Sequence, residues 1–150
     1  HSQSSTEEGY DKGMSYAVSG KFKEAKNEFE NLLNIPPYDR LAQDNLKVIE
    51  DIFDKKIRKE AAFHFFKGLT YAHKGMLDKG ITKLNKAIIL NPNFDSAYKI
   101  RGIAYRDKGL YNRALSDYNK AIKINPIDAY AYITRAHLYS LIEGRVLIAG

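Results

Sequence analysis

Cysteine is absent from the 150-residue chain. Disulfides and thiol catalysis are thereby excluded, and redox chemistry leaves no mark of the compartment. No apolar run approaches the roughly 18 residues that a membrane-spanning helix needs. The four histidines, His1, His64, His73 and His137, form no pair at the i, i+4 spacing of a helical metal site. No glycine-rich phosphate loop is present. The carboxylate clusters Glu7-Glu8, Glu28/Glu30 and Glu50-Asp51 fall on helix faces that read as solvated, whereas an acid–base pair needs an enclosed site that perturbs it. No catalytic residue, metal or cofactor is therefore assigned, and an enzyme is the class the sequence favours least.

What is present is periodic. The chain is 44% hydrophobic, with Leu, Ile, Tyr and Phe at regular positions, which argues against disorder. Its length suits a single domain, taken as 1–150. The stretch from Asp95 to Pro126 divides into two amphipathic helical segments around Lys108-Gly109 and stops at Asn125-Pro126. The same pattern stands 34 residues earlier: Gly68, Tyr71, Gly75, Ala87 and Pro92 return as Gly102, Tyr105, Gly109, Ala121 and Pro126. Gly102 and Ala114 are small where two helices must cross closely. Tyr98, Tyr105 and Tyr118 are the large residues that fill the gaps beside them. Gly109 is expected to end its helix in the left-handed conformation, and Pro126 cannot continue the second helix.

A fixed 34-residue period over two helices marks a repeat array. The slots Tyr98, Gly102, Tyr105, Ala114, Tyr118, Ala121 and Pro126 resemble the tetratricopeptide repeat (TPR). The resemblance implies an all-α fold, a right-handed α-solenoid of antiparallel helix pairs. One such pair cannot bury its apolar face alone, so neighbours must stack. Copies are expected at about 6–37, 61–92 and 95–126, with a half repeat at 129–142. The departures are Gly9 and His64 at aromatic slots and Gly80 at an alanine slot; His64 is read as a packing residue.

Taken in order, residues 1–5 read as a weakly ordered leader. Helices are expected at Thr6–Ser19 and Phe22–Asn34, then at about 60–74, 77–90, 94–108, 111–124 and 128–142. Between the first two copies, which start 55 residues apart, an inserted segment at about 38–59 carries Leu41, Leu46, Ile49, Phe53 and Ile57 near helical spacing. It reads as one extra helix, or one that bends near Lys59 into the next, which gives about eight helices and no strand. The polar start HSQSSTEE reads as a mature terminus left by signal cleavage or an engineered remnant. Ile142-Glu143-Gly144-Arg145 matches a common engineered protease site, so residues 142–150 carry no functional reading. A soluble protein is expected, either cytoplasmic or exported with its signal removed.

The net charge of +6 lies in the second half: residues 1–75 balance 12 basic against 12 acidic, and residues 76–150 hold 12 against 6. A basic half attracts acidic peptides, nucleic acid or anionic lipid. However, Lys83, Lys86, Lys120 and Lys123 fall on outer solvated faces. Aromatics interleaved with cations on one face, the mark of single-strand nucleic-acid binding, are missing.

The resemblance implies a concave groove lined by the first helix of each copy, which takes peptides or partner helices. The spacing assigns to it Tyr10 and Met14, then Phe65, Phe66, Leu69 and His73, then Lys99, Ile100, Ile103 and Arg106, then Ile133 and His137. One subclass of the family grips a C-terminal carboxylate with Lys and Asn there. That clamp does not transfer, because the Asn slots hold Met14 and Phe66 in one alignment, or Leu69 and Ile100 in the other. The groove reads as apolar with a basic end at Lys99 and Arg106. A non-enzymatic interaction scaffold is expected, binding an apolar protein or peptide segment with acidic flanks. The alternative is self-assembly through the C-terminal half repeat.

Overall fold

The computed structural model describes residues 3–149, and the side chains of residues 5–145. Among these residues there are eight helices and no strand: α1 (Gln3–Val18), α2 (Phe22–Glu30), α3 (Asp39–Phe53), α4 (Lys59–His73), α5 (Leu77–Leu90), α6 (Asp95–Asp107), α7 (Tyr111–Ile124) and α8 (Ala129–Ala149). Three tight turns join α1 to α2, α4 to α5 and α6 to α7 by one device. Gly20, Gly75 and Gly109 sit at φ 76°, 77° and 78°. In the last of them the Gly109 N–H donates to the Arg106 carbonyl and the Leu110 N–H to that of Tyr105, each at 2.9 Å. This pair of bonds closes the helix end around a residue that must be left-handed, and glycine adopts that state without a Cβ clash.

The paired helices cross where side chains are missing. An added Cβ on Gly102 would lie 2.6 Å from the Tyr118 ring and 3.2 Å from the Asp117 Cβ. On Gly68 it would meet Leu84 at 2.7 Å and the Gly80 carbonyl at 3.0 Å. Gly80, a departure from the alanine slot, thus lets α4 and α5 approach backbone to backbone. Gly102→Leu is expected to overpack the α6–α7 crossing and cost about 1–3 kcal/mol or more. An unchanged thermal melt would show that the crossing tolerates the extra volume.

Several boundaries differ from the expected ones. α1 begins at Gln3, inside the segment read as a leader. α2 stops at Glu30 because Asn31–Asn34 form turns, with Asn34 at φ 67°. α3 ends at Phe53, before the basic run Lys55–Lys59, and the exposed turn at Lys55 and Lys56 closes it, their N–H groups donating to the carbonyls of Ile52 at 3.1 Å and Asp51 at 2.8 Å. Phe53, placed by helical spacing with Leu46 and Ile49, is 43% exposed beneath the Lys26 ammonium. α8 runs on through Gly144 to Ala149.

His64 shows what the aromatic slot requires. In the next two copies the slot holds Tyr98 and Tyr132, whose hydroxyls donate to the carbonyls of Pro92 at 2.8 Å and Pro126 at 2.9 Å. The His64 ring packs edge-on to Phe63, but its Nδ1 is buried without a partner. Burial, together with Lys83 and Lys86, pushes the imidazole below its ordinary value. A histidine lowered on folding binds fewer protons in the folded chain than in the unfolded one. Its contribution is complete above about pH 6.5 and is lost as pH falls below that. His64→Tyr is expected to stabilise the chain by about 1 kcal/mol and to reduce the loss between pH 7.5 and 5.5. Melts at the two pH values check both effects, and an equal loss in the two proteins would contradict them.

Candidate functional site

The first helices α1, α4, α6 and α8 carry the same two slots at the repeat spacing. Tyr10, Phe65, Lys99 and Ile133 occupy one; Met14, Leu69, Ile103 and His137 occupy the other. Along the first slot the exposures are 5%, 2%, 3% and then 61%. The helix that stands outside the repeat, α3, supplies part of the cover over Tyr10 and Lys99, while Phe94 lies against Phe65, and Asp128 and Tyr130 against Lys99.

The side chains of α3 contact each first helix in turn. The Asn45 amide donates to the Tyr10 hydroxyl and to the Met14 sulfur, both at 3.5 Å. Tyr38, which leads into α3, stacks on Tyr10 with ring centres 5.0 Å apart. Leu46, Val48, Ile49 and Ile52 are buried in the same core cluster as Phe65 and Leu69. The Lys47 ammonium lies 3.5 Å from the Asp95 carboxylate at the start of α6, and Asp44 lies 3.8 Å from Lys99. At the far end the Arg40 guanidinium sits 3.4 Å from the centre of the Tyr130 ring on α8.

The charged members form one network. Lys99, nearly inaccessible, donates to Asp128 at 2.6 Å. Asp128 also accepts from the backbone N–H groups of Tyr130 at 3.1 Å and Ala131 at 3.4 Å, which caps α8. Burial alone would raise the Asp128 carboxyl; the Lys99 hydrogen bond and charge, with the two N–H groups, hold it below its ordinary value. Asp44 goes the other way, pushed up by burial that Lys99 and Arg40 offset only in part. Tyr10 is pushed up to about 12 by burial, against the Asn45 bond. A pocket of about 240 Å³ remains between α3 and the neighbouring helices, lined by Leu41, Leu69, His73, Ile100, Ile103 and Tyr130 among others.

The residues assigned from spacing thus divide into three sets. Tyr10, Met14, Phe65, Leu69 and Lys99 are buried, and Phe66 is buried against Phe22 between copies. Ile100, Ile103 and Arg106 are half-buried, while His73, Ile133 and His137 are exposed. The open apolar stripe expected from the spacing is confined to its C-terminal end. The free basic end is also corrected, because Lys99 is paired with Asp128 and Arg106 donates to Asp107 at 3.1 Å. Arg40, Asp44, Asn45 and Tyr130 were missed. The i, i+4 pairs Arg40/Asp44 and Lys47/Asp51, both formed in the structure, were the available signal for an amphipathic face, but not for where that face would dock.

At the other edge, no second helix follows α8 among the described residues. Tyr132 and Tyr139 are 39% and 45% exposed, and Ala136 is exposed where Gly68 and Gly102 are buried in crossings. A cavity of about 510 Å³ opens there between α7 and α8, beside Tyr111, Ile142 and Arg145. The side chains of Val146, Leu147 and Ile148, candidates to cover this face, lie outside the described residues. No helix among the described residues is long and apolar enough to cross a membrane.

Residues 96–128 match the family model of the tetratricopeptide repeat. No curated protein matches the chain in sequence. Among solved structures, the first TPR of Spaghetti (RPAP3) bound to an HSP90 peptide superposes with a TM-score of 0.57 at 17% identity, covering 95% of this chain and 96% of that one. The Arabidopsis OM64 TPR domain gives 0.55 at 15% identity, with 90% and 94% covered. MamA AMB-1 gives 0.52 at 18% identity, with 95% and 85% covered. The resemblance read from the sequence is borne out: the chain carries a tetratricopeptide repeat and has the helical-repeat solenoid fold of such domains.

Proposed function

We propose that this chain, having the TPR fold, is a non-enzymatic interaction scaffold that binds an apolar helical or extended protein segment on its concave side. The observation that carries the reading is the burial of one repeated slot at Tyr10, Phe65 and Lys99, with an amphipathic helix touching Tyr10 and Lys99, and its exposure at Ile133. The concave surface accepts such a segment, and its C-terminal end is left open. The HSP90 peptide held by the Spaghetti relative is of the same general class, a segment bound by a helical-repeat solenoid. Apolar burial at Ile133, Ile103 and the adjoining pocket would supply most of the affinity.

Panning a random peptide library on the chain tests this. Enriched peptides are expected to be apolar and to lose about tenfold in affinity on Ile133→Asp, with the melting temperature unchanged because Ile133 is exposed. Peptides insensitive to both Ile133→Asp and Ile103→Asp would move the site elsewhere. Self-assembly through Tyr132, Ala136 and Tyr139 is the second reading, favoured by their exposure on the unpaired face of α8. Light scattering across a concentration series separates the two, since a monomer throughout removes self-assembly.

A further inference from the structure

We infer that the concave face is a helix-binding groove held in cis by α3, and that the partner able to take its whole length is an amphipathic helix built like α3. Such a helix has an aliphatic face, a carboxylate set against Lys99 and a guanidinium over Tyr130. This deepens the proposed function and rests on it.

Two observations lead there. First, polar contacts of α3 fall on or beside the groove positions of the first helices: Asn45 on Tyr10 and Met14, Asp44 on Lys99, Lys47 on Asp95, and Arg40 on Tyr130, while its last residue, Phe53, meets Lys26 on α2. An intervening helix that merely filled a gap between two repeats would have no reason to reach the fourth. Second, removing α3 strands no charge on the solenoid side. Lys99 keeps Asp128 at 2.6 Å, and Asp95 keeps the Asn125 amide at 3.1 Å. The carboxylate that α3 withdraws, Asp44, regains hydration when it leaves.

The cis helix is present at the high effective concentration of a tethered ligand. A free partner therefore binds with an affinity reduced by the fraction of molecules in which α3 is away. Loosening α3 raises the apparent affinity without altering the groove.

Hydrogen exchange on the unsubstituted chain, read by mass spectrometry in low denaturant, is the first half of the test. Residues 38–54 are expected to exchange at least tenfold faster than α6 and α7. Exchange of α3 only in step with α6 and α7 would make it a fixed part of the core and overturn the inference. The second half uses a labelled synthetic peptide of residues 38–54 and the full chain carrying Arg40→Ala, Asp44→Ala and Lys47→Ala. The peptide is expected to bind this variant at least tenfold tighter than the unsubstituted chain, and a scrambled peptide is not expected to bind. A folded variant that takes no peptide overturns the inference. If the variant does not fold, the exchange measurement decides alone. Loss of the inference with Ile133-dependent peptide binding intact would leave the scaffold reading standing and confine the site to the open end.

Discussion

Arg101→Ala should cost about 3–5 kcal/mol, the range for stranding one partner of a buried ion pair. The guanidinium of Arg101, on α6, donates through Nε to Asp117 Oδ2 at 2.8 Å and through Nη2 to Oδ1 at 2.7 Å. Its third donor, Nη1, reaches Asn85 Oδ1 on α5 at 2.9 Å. One side chain thus ties three successive helices. Asp117 is 4% exposed with Arg101 in place, and both of its carboxylate oxygens bond to that guanidinium. Truncation leaves a carboxylate in apolar surroundings beside Tyr118. Lysine is not a substitute, because a point charge cannot make the two parallel bonds. Urea unfolding measures the effect. Arg101→Met with Asp117→Leu should recover most of it, since the damage lies in the unpaired charge. A loss below about 1 kcal/mol for Arg101→Ala would show that solvent reaches Asp117.

Phe65→Asp should be at least as damaging. The ring is 2% exposed, with Phe66 and Phe94 at centroid distances of 5.2 Å and 5.1 Å. Loss of a buried Phe costs about 3–5 kcal/mol, and an unpaired carboxylate adds to that. Ile133→Asp, in the same slot two copies later, should fall within about 0.5 kcal/mol of the parent, as an exposed substitution does. Equivalent repeat positions would thus differ by several kcal/mol, and the difference reports the packing of Phe65 against Phe66 and Phe94. Similar melts for the two variants would mean that Phe65 is no more covered than Ile133.

The parts of this molecule that were legible in sequence are those set by short-range geometry. Gly109 needed only its place after a helical run and its recurrence after 34 residues. Tyr118 beside Gly102 needed only the pattern of large against small. The same arithmetic selected Tyr10, Phe65, Lys99 and Ile133 as one slot. It could not say which of them α3 would cover. That outcome depends on partners far apart in the chain, Asn45 with Tyr10 and Arg40 with Tyr130, and no periodicity encodes them. Helix ends failed for local reasons. At 31–34 the chain turns and α2 stops early, with Asn34 at φ 67°, a left-handed state that asparagine tolerates. Gly144 lies inside α8, where nothing within 4 Å opposes a side chain, so it neither turns the chain nor marks a crossing.

The seating of α3 in the groove is most directly open to nuclear Overhauser measurement on the unsubstituted chain. Cross-peaks are expected from the Asn45 side-chain amide to the Met14 methyl, and from the Arg40 side chain to the Tyr130 ring. Their joint absence, with Ile49 and Val48 showing contacts to water instead of to the first helices, would contradict the seating of α3 and reopen the whole concave face as the binding surface.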